Sequence, residues 1–277
     1  TMSAKEIVKA FPDPKGGRIH IIDKEACEKA VGQILEGGDK TLRELVGLIL
    51  EPGKGNDVQA RHALHATAIR VGGPDKKKVR RAFASSLAST LSDDRPKAVK
   101  GFILRQLQVC GGPEEGIAIA PYLTDRDEHL YEYAAQALQA IGPATVDHFR
   151  KAYPNAKGAP RLTVLQGLGV QRDKKSAGVF RTAAKENDLE IRLAGLWGLM
   201  RIASGEDAKL LLETAEKEKG WGRIKATGYC LQLAEALAAM GKKKEATRIY
   251  QHLRDTRKDP AEAHIRGAAG LGLKRAG

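Results

Sequence analysis

One dipeptide frame, an aliphatic or small residue followed by a basic one, keeps returning along this chain. It occurs as Ala60-Arg61, Val99-Lys100, Pro160-Arg161, Ile191-Arg192, Ile224-Lys225 and Ile265-Arg266, and each copy opens a run of Ala, Gly and Leu. Leu130-Tyr131 keeps the frame without the basic residue, and successive copies lie 39, 31, 30, 31, 33 and 41 residues apart. A period of this length, with no two-residue alternation between copies, is the pattern of helix pairs that bury their apolar faces only by stacking on one another. The chain therefore reads as all-α: an α-solenoid, or alpha-alpha superhelix, of about seven helix pairs.

Local signals divide it further. Residues 1–40 read as a lead-in and capping helix, and 41–277 as the repeat array. A short helix from Ser3 to Phe11 is stopped by Pro12, Pro14, Gly16 and Gly17. Asp23 then N-caps a helix reaching Leu35, whose Ala26, Ala30, Val31 and Ile34 share one face, with Gly37 and Gly38 closing it. Within each second helix, the positions four, eight and eleven past the frame are apolar or small: Ile103, Leu107 and Cys110; Ala134, Leu138 and Ile141; Gly195, Leu199 and Ile202. Those spacings make one stripe facing the first helices. Glycines inside helices, Gly101, Gly167, Gly195, Gly198 and Gly228, each cost roughly 1 kcal/mol against Ala, so close helix approach is their expected reason.

Composition narrows the function classes. Apolar residues make up 42% and aromatics 5% of the 277 residues, as closely packed small helices require. No uninterrupted apolar stretch is long enough for a membrane span. Cys27, Cys110 and Cys230 are distant from each other and form no CxxC pair, so they read as small core residues rather than as a disulfide frame or zinc site. His62 and His65 lack a third ligand at motif spacing, and no GxSxG, HExxH or P-loop is present, so neither a metal nor another cofactor is expected and the chain reads as no enzyme. Thr1 followed by Met2 reads either as the residue left by a signal peptidase, hence an exported or periplasmic protein, or as a scar on a cytoplasmic one.

Lys and Arg number 47 against 34 acids, a net charge of +13, which raises nucleic acid as a partner. The row of basic residues in the frame looks like a phosphate track. Yet acids precede most copies, at Asp57, Asp93 or Asp94, Asp127, Asp188 and Asp259, and an Asp-to-Arg ladder between repeats would use that charge structurally.

Val99-Lys100-Gly101-Phe102-Ile103-Leu104-Arg105-Gln106-Leu107, followed by Gly111-Gly112, Ala120-Pro121-Tyr122-Leu123-Thr124-Asp125 and Tyr133-Ala134-Ala135-Gln136-Ala137-Leu138, resembles the HEAT repeats of the phycobilin-lyase type, in particular a bacterial group of stand-alone, often exported arrays. Arg161-Leu162, Gln166-Gly167-Leu168-Gly169 and Arg172-Asp173 continue the likeness, which spans about residues 40 to 277. These are core and ladder positions, so they speak for a fold rather than a function. The resemblance implies second helices lining a concave side, with Ala66, Arg105, Gln136, Gln166, Trp197, Cys230 and Leu271 pointing into it. Gln108, Gln139, Met200 and Arg201 lie one turn on. A protein-binding scaffold using Arg105, Gln108, Gln136, Gln139, Gln166, Trp197 and Arg201 is the function this implies, since Trp and Arg most often anchor interfaces. Trp197 packed between repeats, with the amides merely solvated, is the alternative for the same residues. Nucleic-acid binding through the net positive charge is the alternative function.

Overall fold

The computed structural model describes residues 2–13 and 22–276; Thr1, Pro14, Gly16 and Gly17, which entered the sequence reading, lie outside the described residues. Among the described residues there are helices and no strands. The fold is all-α, a succession of packed helix pairs. Contacts group the chain into two compact units, Thr1–Val164 and Leu165–Gly277.

The first unit opens with α1 (Ala4–Ile7) and α2 (Lys24–Glu36). Asp23 caps α2 by accepting the Ala26 N–H at 2.9 Å. The next helix, α3 (Gly38–Gly47), starts earlier than the glycines suggested, because Gly38 takes φ +59° and turns the chain straight into it. Then come α4 (Val58–Val71), α5 (Lys77–Ser89), α6 (Lys97–Cys110), α7 (Gly116–Ile119), α8 (Glu128–Ile141), α9 (Val146–Ala152) and α10 (Ala159–Val170), within which the boundary falls. The helices α7 and α9 are short, each flanked by 3-10 turns, because Pro113, Pro121, Pro143 and Pro154 withhold backbone donors that a continuous helix needs. Leu45, Leu64, Leu87, Ile103, Leu107, Leu138 and Phe149 are fully buried between the two helix layers.

The second unit continues with α11 (Ala177–Ala183), α12 (Leu189–Arg201), α13 (Ala208–Lys217), α14 (Gly220–Ala239), α15 (Lys243–Thr256) and α16 (Ala263–Ala276). Leu168, Phe180, Leu196, Leu199, Leu211, Leu233, Leu237 and Leu253 form its core. Glycine permits close contact between α11 and α12, as expected. A Cβ on Gly195 would sit 2.4 Å from the Ala184 backbone nitrogen, and one on Gly198 within the Phe180 ring. Gly228 does not follow that rule: nothing lies within 4 Å of a Cβ placed there.

Three second helices of this unit end in the same way. Asp173 N–H bonds to Leu168 O, Ser204 N–H to Leu199 O and Lys242 N–H to Leu237 O, the long hydrogen bond of a Schellman turn. The residue before each donor is left-handed: Arg172 at φ 53°, Ala203 at φ 51° and Gly241 at φ 76°. For Arg172 and Ala203 a Cβ in that region is sterically costly. Ala203→Gly is therefore expected to stabilise the protein by about 0.5–1 kcal/mol, read as a raised midpoint in urea.

Candidate interaction faces of the second helices

The arginines of the frame turn out to be structural. Arg61, Arg192 and Arg266, in the first turns of their helices, donate to carbonyls left open where the preceding first helix ends, and Arg161 donates to the Tyr153 hydroxyl at 3.1 Å. Arg61 Nη2 donates to Leu50 O at 2.7 Å while its Nε pairs with Asp57 at 2.8 Å. Arg192 Nη1 donates to Glu186 O and Asn187 O at 2.7 and 2.9 Å, and its Nε pairs with Glu218. Arg266 Nη1 donates to Arg257 O and Asp259 O at 2.6 and 2.9 Å.

In the sixth pair this part is taken by Arg223, not Lys225. Arg223 Nη1 donates to Ala215 O and Glu216 O at 3.2 and 3.4 Å, and its guanidinium forks onto Glu262 at 2.6 and 3.0 Å. That shift of two residues has two effects. It restores an even spacing to Arg192, and it rotates α14 so that Cys230 is buried at 1% exposure instead of facing outward. Gly228 takes the outward position in its place.

Three of the acids before the frame act as caps, while Asp57 pairs with Arg61 of its own helix at 2.8 Å and Asp93 forms a ladder contact with Arg43 of the preceding helix pair at 3.7 Å. Asp127 accepts the His129 N–H at 3.0 Å, Asp188 the Ile191 N–H at 2.9 Å, and Asp259 the Ala261 N–H at 2.8 Å. Further cross-repeat ion pairs join Arg80 with Glu115, Lys97 with Asp125, Arg181 with Asp207, Arg192 with Glu218 and Arg223 with Glu262.

In the first unit, the second helices α4, α6 and α8 carry a continuous row of polar and aromatic contacts. His65 Nδ1 meets Gln106 Oε1 at 2.8 Å, and the Arg61 guanidinium lies 4.6 Å from the centre of the Phe102 ring. Arg105 is exposed and stacks over Tyr133 at 5.1 Å. Gln136 stands one turn beyond Tyr133 on α8, and Gln108, Gln136 and Gln139 are each half-buried. Arg105, Tyr133 and Gln136 thus share one patch. Tyr133 was not singled out from sequence, although its place three residues before Gln136 puts it on the same helix face.

In the second unit, Gln166 is exposed on α10, whereas Trp197 and Arg201 are engaged in the seam between α10 and α12. The Trp197 ring covers Gly169, where an added Cβ would lie 2.4 Å from it. Arg201 stacks over Trp197 at 5.5 Å and its Nε donates to Gly169 O at 3.3 Å. The two most exposed large apolar side chains of this unit lie on α14, Trp221 at 58% and Ile224 at 66%, with Leu271 on α16 at 55%. Lys225 holds its ammonium 5.0 Å from the Trp221 ring and 5.9 Å from the Tyr229 ring. Trp221, Ile224, Lys225 and Gly228 follow the i, i+3, i+4, i+7 spacing of one helix face, a signal hidden as long as Lys225 is taken for the frame residue. Beside Ile224 a hollow of about 640 Å³ opens between α14 and α16, floored by Thr227, Ala261 and Ile265. Gly228→Ala fills open space and is expected to stabilise α14 by about 1 kcal/mol, measurable in a urea titration.

Chemically reactive groups are subdued. Burial pushes the Cys110 and Cys230 thiols up to about 12. Cys27, also raised by burial, has its sulfur 3.5 Å from Ala10 O. His62 stacks on Phe11 at 5.3 Å between ring centres. Among the described residues no three His, Cys, Asp or Glu gather as a metal would require, and no helix is long and apolar enough to cross a membrane.

The class these features define is an all-α helical-repeat protein. No family model and no curated protein matches the chain. Among solved structures it is similar to the complex of CpcE and CpcF of phycocyanin lyase from Nostoc sp. PCC7120, at 16% identity over 84% of this chain and 95% of that one, with a TM-score of 0.43. It is also similar to an archaeal HEAT-like repeats protein from Thermococcus onnurineus NA1, at 14% identity over 100% and 97% of the two chains, with a TM-score of 0.42. At that level of similarity neither says what this chain does, and its fold rests on its own helices.

Proposed function

We propose that the protein is a non-catalytic scaffold that binds another protein through the outward faces of its second helices. The observation that carries this reading is the contrast between the two kinds of cation on those helices. Arg61, Arg192 and Arg266 of the frame are consumed by carbonyls and carboxylates, while Arg105 stands exposed over Tyr133 and the half-buried Lys225 rests over Trp221. Rigid aromatic and guanidinium groups that no internal contact requires are the residues that anchor interfaces. Gln108, Gln136, Gln139 and Gln166 supply hydrogen-bonding rims beside them. Trp197 and Arg201 contribute their remaining exposed edges and hold α10 to α12. The thiols are kept protonated by burial, which suits core residues better than nucleophiles.

The experiment is affinity purification from the source cells with the wild-type chain and with an Arg105→Glu, Gln136→Ala, Lys225→Glu variant. A protein that co-purifies with the first and falls at least tenfold with the second supports the reading. A partner retained equally by both overturns it.

A second reading, nucleic-acid binding, draws on exposed cations at two turns of the second unit, Arg172, Lys174 and Lys175, and Lys242, Lys243 and Lys244. A DNA duplex titrated between about 50 and 200 mM salt separates the two, because several phosphate contacts would cost orders of magnitude in affinity over that range.

A further inference from the structure

In the first unit, α7, α9 and the 3-10 turns that follow them, Ala120–Thr124 and Tyr153–Asn155, surround a hollow of about 370 Å³. Its wall is apolar: Ile117, Ala120, Pro121 and Ala152. Ile117, at 77%, is the most exposed large apolar side chain among the described residues. A lone exposed isoleucine is ordinary, but this one forms the lip of a hollow whose size falls within the roughly 300–1,000 Å³ of small-molecule sites.

The sequence builds the hollow locally. Pro121 keeps α7 to a single turn by withholding a backbone donor. Gly116 offers no side chain where the His148 ring lies, since an added Cβ would fall 2.5 Å from His148 Nε2. The imidazole therefore rests against α7 and closes one side of the hollow.

The charge lining it has one sign. Lys151 and His148 face the hollow, and none of its lining residues is a carboxylate. Among the described residues Lys151 makes no salt bridge and the His148 ring no hydrogen bond. The acids nearest in sequence are engaged elsewhere, Asp147 with Arg150 at 2.6 Å and Asp125 with Lys97 at 2.9 Å. Burial, and then the Lys151 ammonium, hold His148 below its ordinary 6.5 against the opposite pull of Asp147. At neutral pH the imidazole is thus uncharged and offers one N–H beside the ammonium. An apolar wall with an unspent ammonium and an unused N–H at one edge is complementary to a compact apolar acid.

We propose that this hollow binds a free amphipathic carboxylic acid, with its hydrocarbon part against Ile117, Pro121 and Ala152 and its carboxylate at Lys151 and His148. The site lies on first helices and takes a small molecule, so it goes beyond the scaffold reading and does not depend on it.

The test titrates n-octanoate into the isotope-labelled full chain, followed by amide NMR, with n-octylamine as the probe of equal length and opposite charge. Octanoate is expected to saturate with a dissociation constant of about 1 mM or lower. Its shifts should concentrate in residues 116–124 and 146–155, and octylamine should bind at least tenfold more weakly. Lys151→Glu lowers octanoate affinity at least tenfold and removes the preference for the acid, whereas Ile117→Ser weakens both probes. Both variants change exposed side chains, and the comparison of the two probes on the wild-type chain needs neither. Equal binding of the two probes, shifts scattered along the chain, no saturation, or octanoate affinity unchanged in Lys151→Glu would overturn the proposal. So would a peptide ending in leucine that outcompetes octanoate here, because the occupant would then be a protein terminus. The scaffold reading is decided separately, by co-purification, in which Lys151→Glu is expected to retain the partner.

Discussion

Replacing Arg257 by Ala is expected to cost about 3 kcal/mol of stability, seen as a lowered urea midpoint. Arg257 is the largest of the fully buried side chains, at 0% exposure. Its Nη1 donates to Glu216 at 2.5 Å and to Thr256 at 3.2 Å, its Nη2 reaches Thr227 at 3.4 Å, and its Nε lies 3.6 Å from Glu262 without a hydrogen bond. Truncation leaves a large void and strips Thr227 of a partner. Because Glu216 keeps His252 at 3.0 Å and is partly exposed, it can rehydrate, which places the loss at the lower end for a broken buried pair. Arg257→Met, which refills the volume without the charge, is expected to recover most of the loss.

The same cluster makes the loss pH-dependent. Burial pushes the Glu216 carboxyl up, but hydrogen bonds from Arg257 and His252 outweigh it and hold it below its ordinary 4.5. The Arg223 hydrogen bond likewise holds Glu262 low. A depressed carboxyl stabilises the fold above its ordinary value and stops doing so as pH falls through its folded value. The gap between wild type and Arg257→Ala should therefore be full at about pH 6 and narrow towards about pH 3.

Gly195→Ala is the second large effect, a net loss of about 2 kcal/mol, or about 4–8 °C in melting temperature. The new Cβ would meet the Ala184 nitrogen at 2.4 Å and the Phe180 carbonyl oxygen at 2.7 Å. Both atoms are backbone and cannot rotate away, so α11 must lift from α12. The roughly 1 kcal/mol by which Ala exceeds Gly in helix propensity offsets only part of that strain. Gly228→Ala is the control, since the same exchange into open space gains stability.

Much of the helix pairing was legible in the sequence because stacking repeats write the same core positions again and again. Ile103, Leu107 and Leu199 are fully buried where the stripe expected them. The frame was legible too, but not its chemistry. An Arg that closes a helix end and an Arg that awaits a phosphate look alike until the carbonyls of Glu186 and Asn187 are seen around it. The two-residue shift at Arg223 was hidden because Lys225 also fits the pattern, and that error placed Cys230 outside, took Ile224 for a frame residue and left Trp221 unnoticed. Trp197 shows the reverse problem: an indole at an outward register is drawn down by the absence of a side chain at Gly169, a pairing across helices that no spacing rule within one helix reveals.

On the proposed function, partners are met on the second helices while the first helices serve packing. Lysine cross-linking of the co-purified partner, mapped by mass spectrometry, tests it most directly. Links concentrated on Lys100, Lys225 and Lys274, in α6, α14 and α16, are the predicted result. Links concentrated on Lys77, Lys78, Lys151, Lys209 and Lys244, in α5, α9, α13 and α15, would contradict it.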